Sequence, residues 1–108
     1  EGSTWTKKFD VLGNAGEECG GALTLNGNAS RLAVSCPGVS DYKGAVRVYQ
    51  TDGVSWVQIG DEITGYDDLD HFGTALDFDI DGNRLAVGAQ GGDFVEIYEY
   101  GVASDVAI

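Results

Sequence analysis

Three aspartates that alternate with apolar residues are the side chains best suited to bind a metal ion. Asp77, Asp79 and Asp81 precede Gly82 in the order D-x-D-x-D-G, the start of many calcium loops, since calcium is bound by several oxygen ligands. Arg84 follows at a place where a further carboxylate would be needed. Carboxylates at every second position are also typical of the solvated face of a strand, which is the interpretation we favour. We therefore expect no cofactor, with calcium as the one alternative.

A second acidic group has residue types that could perform acid–base chemistry. The segment 66–71 contains Asp67, Asp68, Asp70 and His71, the single histidine of the chain. A catalytic site needs further convergent groups, and the sequence offers no second histidine, no evident nucleophile and no glycine-rich phosphate loop. We interpret the segment as a solvated loop and predict that the protein is not an enzyme.

The two cysteines are candidates for a disulfide bond. Cys19 and Cys36 stand at the far ends of a predicted hairpin, and a four-residue turn over 26–29 would place them opposite each other on one face. Two cysteines that meet on adjacent strands suit a disulfide, and the alternative is a pair of buried free thiols. A disulfide would indicate an oxidising, extracellular setting.

The same hairpin turn carries a glycosylation signal. Asn28-Ala29-Ser30 has the form N-x-S, which is the acceptor sequence for N-glycosylation in secreted proteins. The alternative is that Asn28 serves only the geometry of the turn, for which asparagine is well suited.

The elements that position these residues belong to two copies of one unit of roughly fifty residues. Gly20–Val34 aligns without a gap on Gly73–Val87, and Val46–Gln50 corresponds to Val95–Glu99. Upstream, Trp5 corresponds to Trp56. Repeats with a period of this size cannot bury their apolar faces alone and stack on their neighbours.

Composition and turn signals predict an all-β fold. The chain has 17 glycines and one proline, and its short β-branched and aromatic runs are separated by Asp-Gly and Asn-Gly turns. We expect two tandem four-stranded antiparallel propeller-blade-like sheets plus one extra N-terminal strand. The units are 1–12 (an extra strand that completes a neighbouring blade), 13–60 and 61–108. The predicted strands are Trp5–Val11, Gly21–Leu25, Arg31–Cys36, Ala45–Thr51, Ser55–Ile59, Thr74–Ile80, Arg84–Ala89, Phe94–Tyr100 and Asp105–Ile108.

The alternation of side chains predicts which strand faces are apolar. Leu76, Phe78 and Ile80 share one face, because successive side chains of a strand point to opposite sides. The other face of the run Leu85–Ala89 carries small residues, as expected where another sheet packs closely. The remaining residues of the predicted apolar faces are Leu85 and Val87, with Leu23, Leu25, Leu32 and Val34 in the first copy.

These segments resemble a known family of repeats. Phe72–Leu76, Asp81–Ala89 and Val46–Tyr49 are similar to FG-GAP-type β-propeller repeats. Such repeats occur in large secreted proteins of algae, protists and marine bacteria, with integrin α-subunit propellers as distant relatives. The resemblance implies extracellular adhesion or scaffolding. The first copy departs from the pattern with Cys19-Gly20 in place of Phe-Gly. Two blades are fewer than a propeller needs, so either further blades of a longer chain or other chains would complete the structure.

The charge of the chain excludes some partners. The formal net charge of −12 argues against nucleic acids, which need a basic face, and against anionic membrane surfaces. No apolar run approaches the roughly 20 residues of a membrane span, so we expect no membrane insertion. The sequence also begins in the middle of the repeat pattern, which suggests a processed product or a fragment of a longer protein.

These features together predict a structural function. We expect a non-catalytic extracellular module that assembles with neighbouring blades or subunits into a fibre, a sheath or an adhesive surface. The strand Trp5–Val11 would pair head to tail with another copy. The residues that we expect at this joint are Trp5, Phe9 and Val11 at one end and Val106 and Ile108 at the other.

The alternative function is ligand binding. In that case the protein is an adhesion module that recognises a glycan or a receptor through its loops, with or without calcium. Four aromatic residues could then form a platform on which sugars stack, although equivalent positions in a repeat favour packing. These residues are Trp5, Tyr49, Trp56 and Tyr98.

Overall fold

A computed structural model describes residues 2–101 and confirms the all-β class. The strands form two antiparallel sheets. The first sheet has the order β1-β2-β3-β4, with β5 pairing further along β3, and the second has the order β6-β7-β8. A short helical turn, Val39–Tyr42, and a 3₁₀ turn, Gln90–Gly92, connect strands at one end. The strands are β1 (Leu23–Leu25), β2 (Arg31–Cys36), β3 (Ala45–Thr51), β4 (Trp56–Gln58), β5 (Ile63–Thr64), β6 (Phe72–Phe78), β7 (Arg84–Ala89) and β8 (Phe94–Glu99).

Several strand limits differ from the predicted ones. β1 begins at Leu23 rather than Gly21, β4 spans Trp56–Gln58 rather than Ser55–Ile59, and β8 ends at Glu99 rather than Tyr100. β6 begins at Phe72 and ends at Phe78, because the next residue, Asp79, already belongs to the turn and accepts hydrogen bonds from backbone N–H groups beyond it. Ile80 was therefore wrongly placed on the apolar face and is 78% exposed. The short strand β5 was not predicted, since Ile63–Thr64 is too brief to show an alternating pattern. The predicted strand Asp105–Ile108 lies outside the described residues.

The predicted N-terminal strand requires a correction. Trp5–Val11 pairs with no strand in the part of the chain that the structure describes. The segment instead lies across the outer side of the first sheet, where the Phe9 ring stacks on Trp56 at 5.3 Å and meets the edge of Tyr49 at 5.5 Å. A strand needs a free neighbouring edge to pair with, and this side of the sheet offers side chains rather than an edge.

Each sheet has one face with larger side chains and one with smaller side chains, which follow from the register of the strands. We call them the large-residue face and the small-residue face. On the first sheet the large-residue face consists of Leu23, Leu25, Leu32, Val34 and Tyr49. Its small-residue face consists of Thr24, Ala33, Ser35, Val46 and Val48. On the second sheet the large-residue face consists of Phe72, Leu76, Phe78, Leu85, Val87 and Tyr98. Its small-residue face consists of Ala75, Asp77, Ala86, Gly88, Val95 and Ile97.

The core lies where the small-residue face of the first sheet meets the large-residue face of the second. Ala33 and Val46 are completely buried against Phe72 and Val87. The sheets approach closely at Gly73, where an added Cβ would lie 2.6 Å from the Cβ of Ser35. The two repeats are thus stacked face to face, as the repeat pattern predicted.

A bulge of the same form lies at the start of both hairpins. In the second sheet Phe72 pairs with Ala89 and Ala75 with Gly88, so the register shifts between these two pairs. Gly73 has a φ of 95° and the equivalent Gly20 a φ of 98°, a conformation that favours glycine. The predicted four-residue turn over 26–29 is wrong. Leu25 pairs with Leu32, so the connection is longer than 26–29.

We predict that Gly73→Ala destabilises the protein strongly. The substitution adds backbone strain and forces a methyl group onto Ser35 and Val46, so the free energy of unfolding should fall by about 2–5 kcal/mol. Gly53→Ala is the matched control, because Gly53 has a φ of 99° but nothing lies within 4 Å of its added Cβ. Strain alone should cost that variant about 1–2 kcal/mol. Equal losses in urea titrations of the two variants would contradict close packing of the sheets at Gly73.

Candidate functional site

The disulfide is formed at the predicted place. Cys19 and Cys36 are bonded, with an S–S distance of 1.99 Å, at positions equivalent to the pair Phe72 and Ala89. The guanidinium of Arg47 lies beside it, 3.5 Å from Cys19 Sγ, and forms ion pairs with Glu17 and Glu62 at 3.3 and 2.6 Å. A backbone N–H from Asn14, together with Arg47, lowers the pKa of Glu17. The bond and the ion pairs anchor the segment that precedes β1.

The glycosylation candidate lies in an accessible turn. Asn28 is exposed, and its Oδ1 accepts a hydrogen bond of 3.1 Å from the backbone N–H of Ser30. The side-chain nitrogen, to which a glycan would be attached, makes no hydrogen bond among residues 2–101. The geometry suits both interpretations, a glycan acceptor and an asparagine chosen for the turn.

The three candidate calcium ligands do not form a cluster. Asp77 lies on the small-residue face of the second sheet, opposite Ala86. Asp79 Oδ1 accepts hydrogen bonds from the backbone N–H groups of Asn83 and Arg84 at 3.0 and 3.1 Å. Asp81 is an exposed turn residue. Residues 2–101 contain no group of three or more acidic, histidine or cysteine side chains arranged to hold a metal ion.

Asp79 has a structural role that the first repeat also displays. Asn26 occupies the equivalent position, and its Oδ1 accepts a hydrogen bond of 2.8 Å from the backbone N–H of Arg31. The N–H of Arg84, followed by those of Asn83 and Gly82, lowers the pKa of Asp79. An oxygen acceptor is therefore needed at this position in both repeats, and a carboxylate and an amide both provide it.

The acidic loop 66–71 is held by one of its own carboxylates. Asp70 is buried, and its Oδ2 accepts hydrogen bonds from the backbone N–H groups of Tyr66 and Asp67. Lys43 forms an ion pair with Asp68 at 3.2 Å, while His71 packs against the Tyr42 ring. The prediction of a wholly solvated loop missed Asp70, because nothing in the sequence separates this aspartate from its neighbours.

The four aromatic residues do not form one platform. Tyr98 lies between the sheets, against Phe72, and donates a hydrogen bond to Glu96. Burial and this bond raise the pKa of Tyr98. Tyr49 and Trp56 lie on the opposite side of the first sheet, under Phe9. Trp5 contributes to neither group and is fully exposed.

Polar contacts fix the register of the two stacked sheets. Arg31 donates hydrogen bonds to the carbonyl of Gly82 at 2.8 Å and to Asn83 Oδ1 at 2.9 Å, and its guanidinium lies 4.8 Å from the centre of the Tyr100 ring. Phe78 N–H donates to Thr24 Oγ1 at 3.3 Å. The apolar faces therefore meet in one defined register. Sequence reasoning missed this role of Arg31, because the repeat alignment pairs it with Arg84 without showing what either residue contacts.

The small-residue face of the second sheet is the clearest candidate for a binding surface. It is equivalent, position by position, to the face that the first sheet buries. Val95 and Ile97 correspond to Val46 and Val48 but are 69% and 63% exposed. Ala86 and Gly88 correspond to Ala33 and Ser35 and leave a flat strip between them. Two exposed β-branched side chains beside small residues form an apolar surface on this sheet, bordered on β6 by the exposed Asp77.

The large-residue face of the first sheet is also only partly covered. Leu23 and Leu25 are at least half exposed. Phe9 and Val11 lie over the neighbouring part of the face and border a depression with Leu32. The assembly residues predicted at the start of the chain are thus divided: Phe9 and Val11 pack on this face and Trp5 does not. Val106 and Ile108 lie outside the described residues.

Comparisons with known proteins leave the family open. The chain gives no match among protein-family models, curated proteins or solved structures. The similarity to FG-GAP repeats therefore stays a prediction. The part of the chain that the structure describes also holds no helix with the length and hydropathy of a membrane span.

We predict that loss of the disulfide destabilises the first repeat. The bond closes a loop with a sequence separation of 17, and removing such a constraint should lower the free energy of unfolding by about 3 kcal/mol. Thermal and urea unfolding of a Cys19→Ser/Cys36→Ser variant should reproduce the behaviour of the reduced native protein. A variant as stable as the oxidised protein would contradict a structural role for the bond.

We also predict that Asp79 contributes to acid sensitivity. Its pKa is lower in the folded state, so its stabilisation is present above its ordinary value of 3.8 and is lost as the pH falls below it. Asp79→Asn keeps the acceptor oxygen that Asn26 supplies in the first repeat but binds no proton. Its stability should therefore fall less than that of the native protein between about pH 7 and pH 3.

The control for the acid experiment is Asp61→Asn. Asp61 is an exposed carboxylate without a hydrogen bond among residues 2–101, so its replacement changes the net charge equally. The Asp61→Asn variant should lose stability in acid as the native protein does. The same acid dependence in both variants would contradict the role of Asp79.

Proposed function

We propose that the protein is a non-catalytic, extracellular structural repeat module that assembles through its sheet faces with neighbouring blades or subunits. The observation that carries this proposal is that the small-residue face is covered in the first repeat and exposed in the second. The first repeat buries Val46 completely and Val48 partly under the second repeat, while the second exposes the equivalent Val95 and Ile97. A face that is built for stacking and remains apolar where it is exposed favours a further partner.

The extracellular setting rests on two features of the first hairpin. The disulfide between Cys19 and Cys36 is typical of proteins that fold in oxidising compartments. The exposed Asn28 turn suits glycosylation in the same compartment.

Assembly can be tested with one substitution on the exposed face. Ile97→Asp places a charge at its centre, and an unpaired charge buried by stacking is costly. The dissociation constant for self-association, measured by sedimentation at about 0.15 M salt, should rise by more than about thirtyfold. Val57→Asp is the matched control, because Val57 is a strand residue of similar exposure, 57%, on neither exposed face.

The expected result is that the native chain and Val57→Asp form larger assemblies with rising concentration, and that Ile97→Asp does not. Negative-stain microscopy of the native sample would then distinguish filaments from closed rings. A native chain that stays monomeric over the whole concentration range would overturn the proposal.

A further inference from the structure

The N-terminal segment has an internal counterpart that indicates its partner. Trp5 is equivalent to Trp56, so residues 5–12 correspond to 56–63, the stretch that leaves the first repeat and enters the second. In that stretch, β4 completes the first sheet by pairing with β3, and Ile59 and Ile63 lie against the large-residue face of the second sheet. The internal stretch thus adds a strand to the first sheet and covers part of the large-residue face of the second sheet.

The N-terminal segment performs only the second of these tasks within its own chain. Phe9 and Val11 cover part of the large-residue face of the first sheet. They lie next to Lys8 and Leu12, the equivalents of Ile59 and Ile63, which cover the large-residue face of the second sheet. The segment completes no sheet, and Trp5 is fully exposed. Within residues 2–101 the N-terminal segment therefore does not act as a strand that completes a sheet.

The second sheet has the matching edge. β3 carries β4 along its outer edge, whereas the equivalent strand β8 pairs only with β7 among the described residues. The N-terminal segment cannot reach this edge in its own chain while Phe9 is seated. It lies on one side of the first sheet, and the second sheet lies on the other. Among residues 2–101 no segment covers the outer edge of β8, so the segment of another copy can pair with it.

We propose that two copies of this chain join head to tail by stacking and strand pairing at once. The small-residue face of the second sheet of one copy stacks on the large-residue face of the first sheet of the other. Residues 5–8 of the latter copy then pair antiparallel with β8 of the former, as 56–59 pair with β3 within the chain. This proposal rests on the proposed function and names its partner as a second copy of this chain.

The internal interface defines the register of this joint. Trp56 pairs with Thr51 and Gln58 with Tyr49, so Trp5 lies opposite Tyr100 and Lys7 opposite Tyr98. The exposed Trp5 ring gains a neighbouring strand, which accounts for a tryptophan that contributes nothing to the isolated chain.

The contact of Arg31 with the Gly82 carbonyl also has an equivalent at the joint. Arg84 forms an ion pair with Glu99 at 2.6 Å, and the equivalent Arg31 donates a hydrogen bond of 2.8 Å to Gln50 Oε1. The equivalent of Gly82, whose carbonyl binds Arg31, is Ala29, and both residues have a positive φ, 77° and 59°. Arg84 therefore binds the carbonyl of Ala29 in the second copy. The stacked faces and their rim thus repeat an interface that the chain already contains.

Two variants that each damage one face test this geometry. Ile97→Asp destroys the small-residue face of the second sheet, and Leu25→Lys destroys the large-residue face of the first, where Leu25 is half exposed. Each variant alone should be monomeric. A mixture should form a one-to-one dimer and nothing larger, because only the intact first sheet of Ile97→Asp and the intact second sheet of Leu25→Lys can join. Sedimentation and native mass spectrometry measure the stoichiometry.

Strand pairing is tested within the same mixture by Lys8→Pro. Lys8 is equivalent to Ile59, whose N–H donates a hydrogen bond of 2.8 Å to the carbonyl of Val48, and proline removes such a donor. Lys8→Pro should weaken the dimer at least about tenfold when added to the Ile97→Asp chain. It should have no effect when added to the Leu25→Lys chain, whose N-terminal segment stays outside the joint. Residues 5–12 belong to no strand in the single chain, so both versions should stay folded.

The outcomes separate this inference from the proposed function. If the native chain assembles but the mixture does not dimerise, the proposed head-to-tail geometry is wrong, while the proposed assembly is still supported. The same conclusion follows if Lys8→Pro weakens the dimer equally from either chain. If Leu25→Lys dimerises alone, the interface joins two identical faces and the head-to-tail joint is wrong. If the native chain does not assemble at all, both proposals fall.

Discussion

The unequal size of the two faces of each sheet is the constraint on which the rest of the structure depends. At Ser35 the small-residue face of the first sheet is so close to Gly73 that no side-chain atom fits on the glycine. Protein interiors are close-packed, so a large-residue face can stack only on a small-residue face. This gives the stack of repeats a direction. Any number of such repeats leaves one large-residue face uncovered at one end and one small-residue face at the other.

The disulfide closes the first hairpin at a position where no further sheet of the described residues stacks. In the second repeat the equivalent pair is Phe72 and Ala89, and both residues are buried because the first sheet covers them. Cys36 is also completely buried and Cys19 partly so, but no second sheet of the described residues stacks on them. A covalent bond holds the two strand ends together without a neighbour, since it acts by restricting the unfolded chain. The two repeats thus close the same hairpin position by different interactions, each suited to its place in the stack.

The sequence predicted most of the sheet structure, since the alternation of side chains and the Asp-Gly turns act locally. The pairing of Cys19 with Cys36 was predicted for the same reason, and the bulge at Gly20 compensated for the wrong turn length. The failures concern residues whose state depends on distant partners. Asp70 differs from Asp67 only by being buried under a loop. The segment Trp5–Val11 has the pattern of a strand, but pairing requires an edge that its own chain does not offer it.

The large negative charge and the apolar faces are compatible because most of the carboxylates lie outside these faces, with Asp77 at the border of one of them. Among the described carboxylates only Asp77, Glu96 and Glu99 lie within strands, and two of these are engaged. Glu96 binds tyrosine hydroxyls, and Glu99 binds Arg84. The other carboxylates occupy turns, loops and the N-terminal segment, so they surround the stacking faces rather than cover them. Their repulsion acts over a Debye length of about 8 Å at physiological salt, whereas the fit between faces acts only at contact. Ionic strength therefore controls how readily two such chains approach, and the match of large and small faces controls which surfaces stay together.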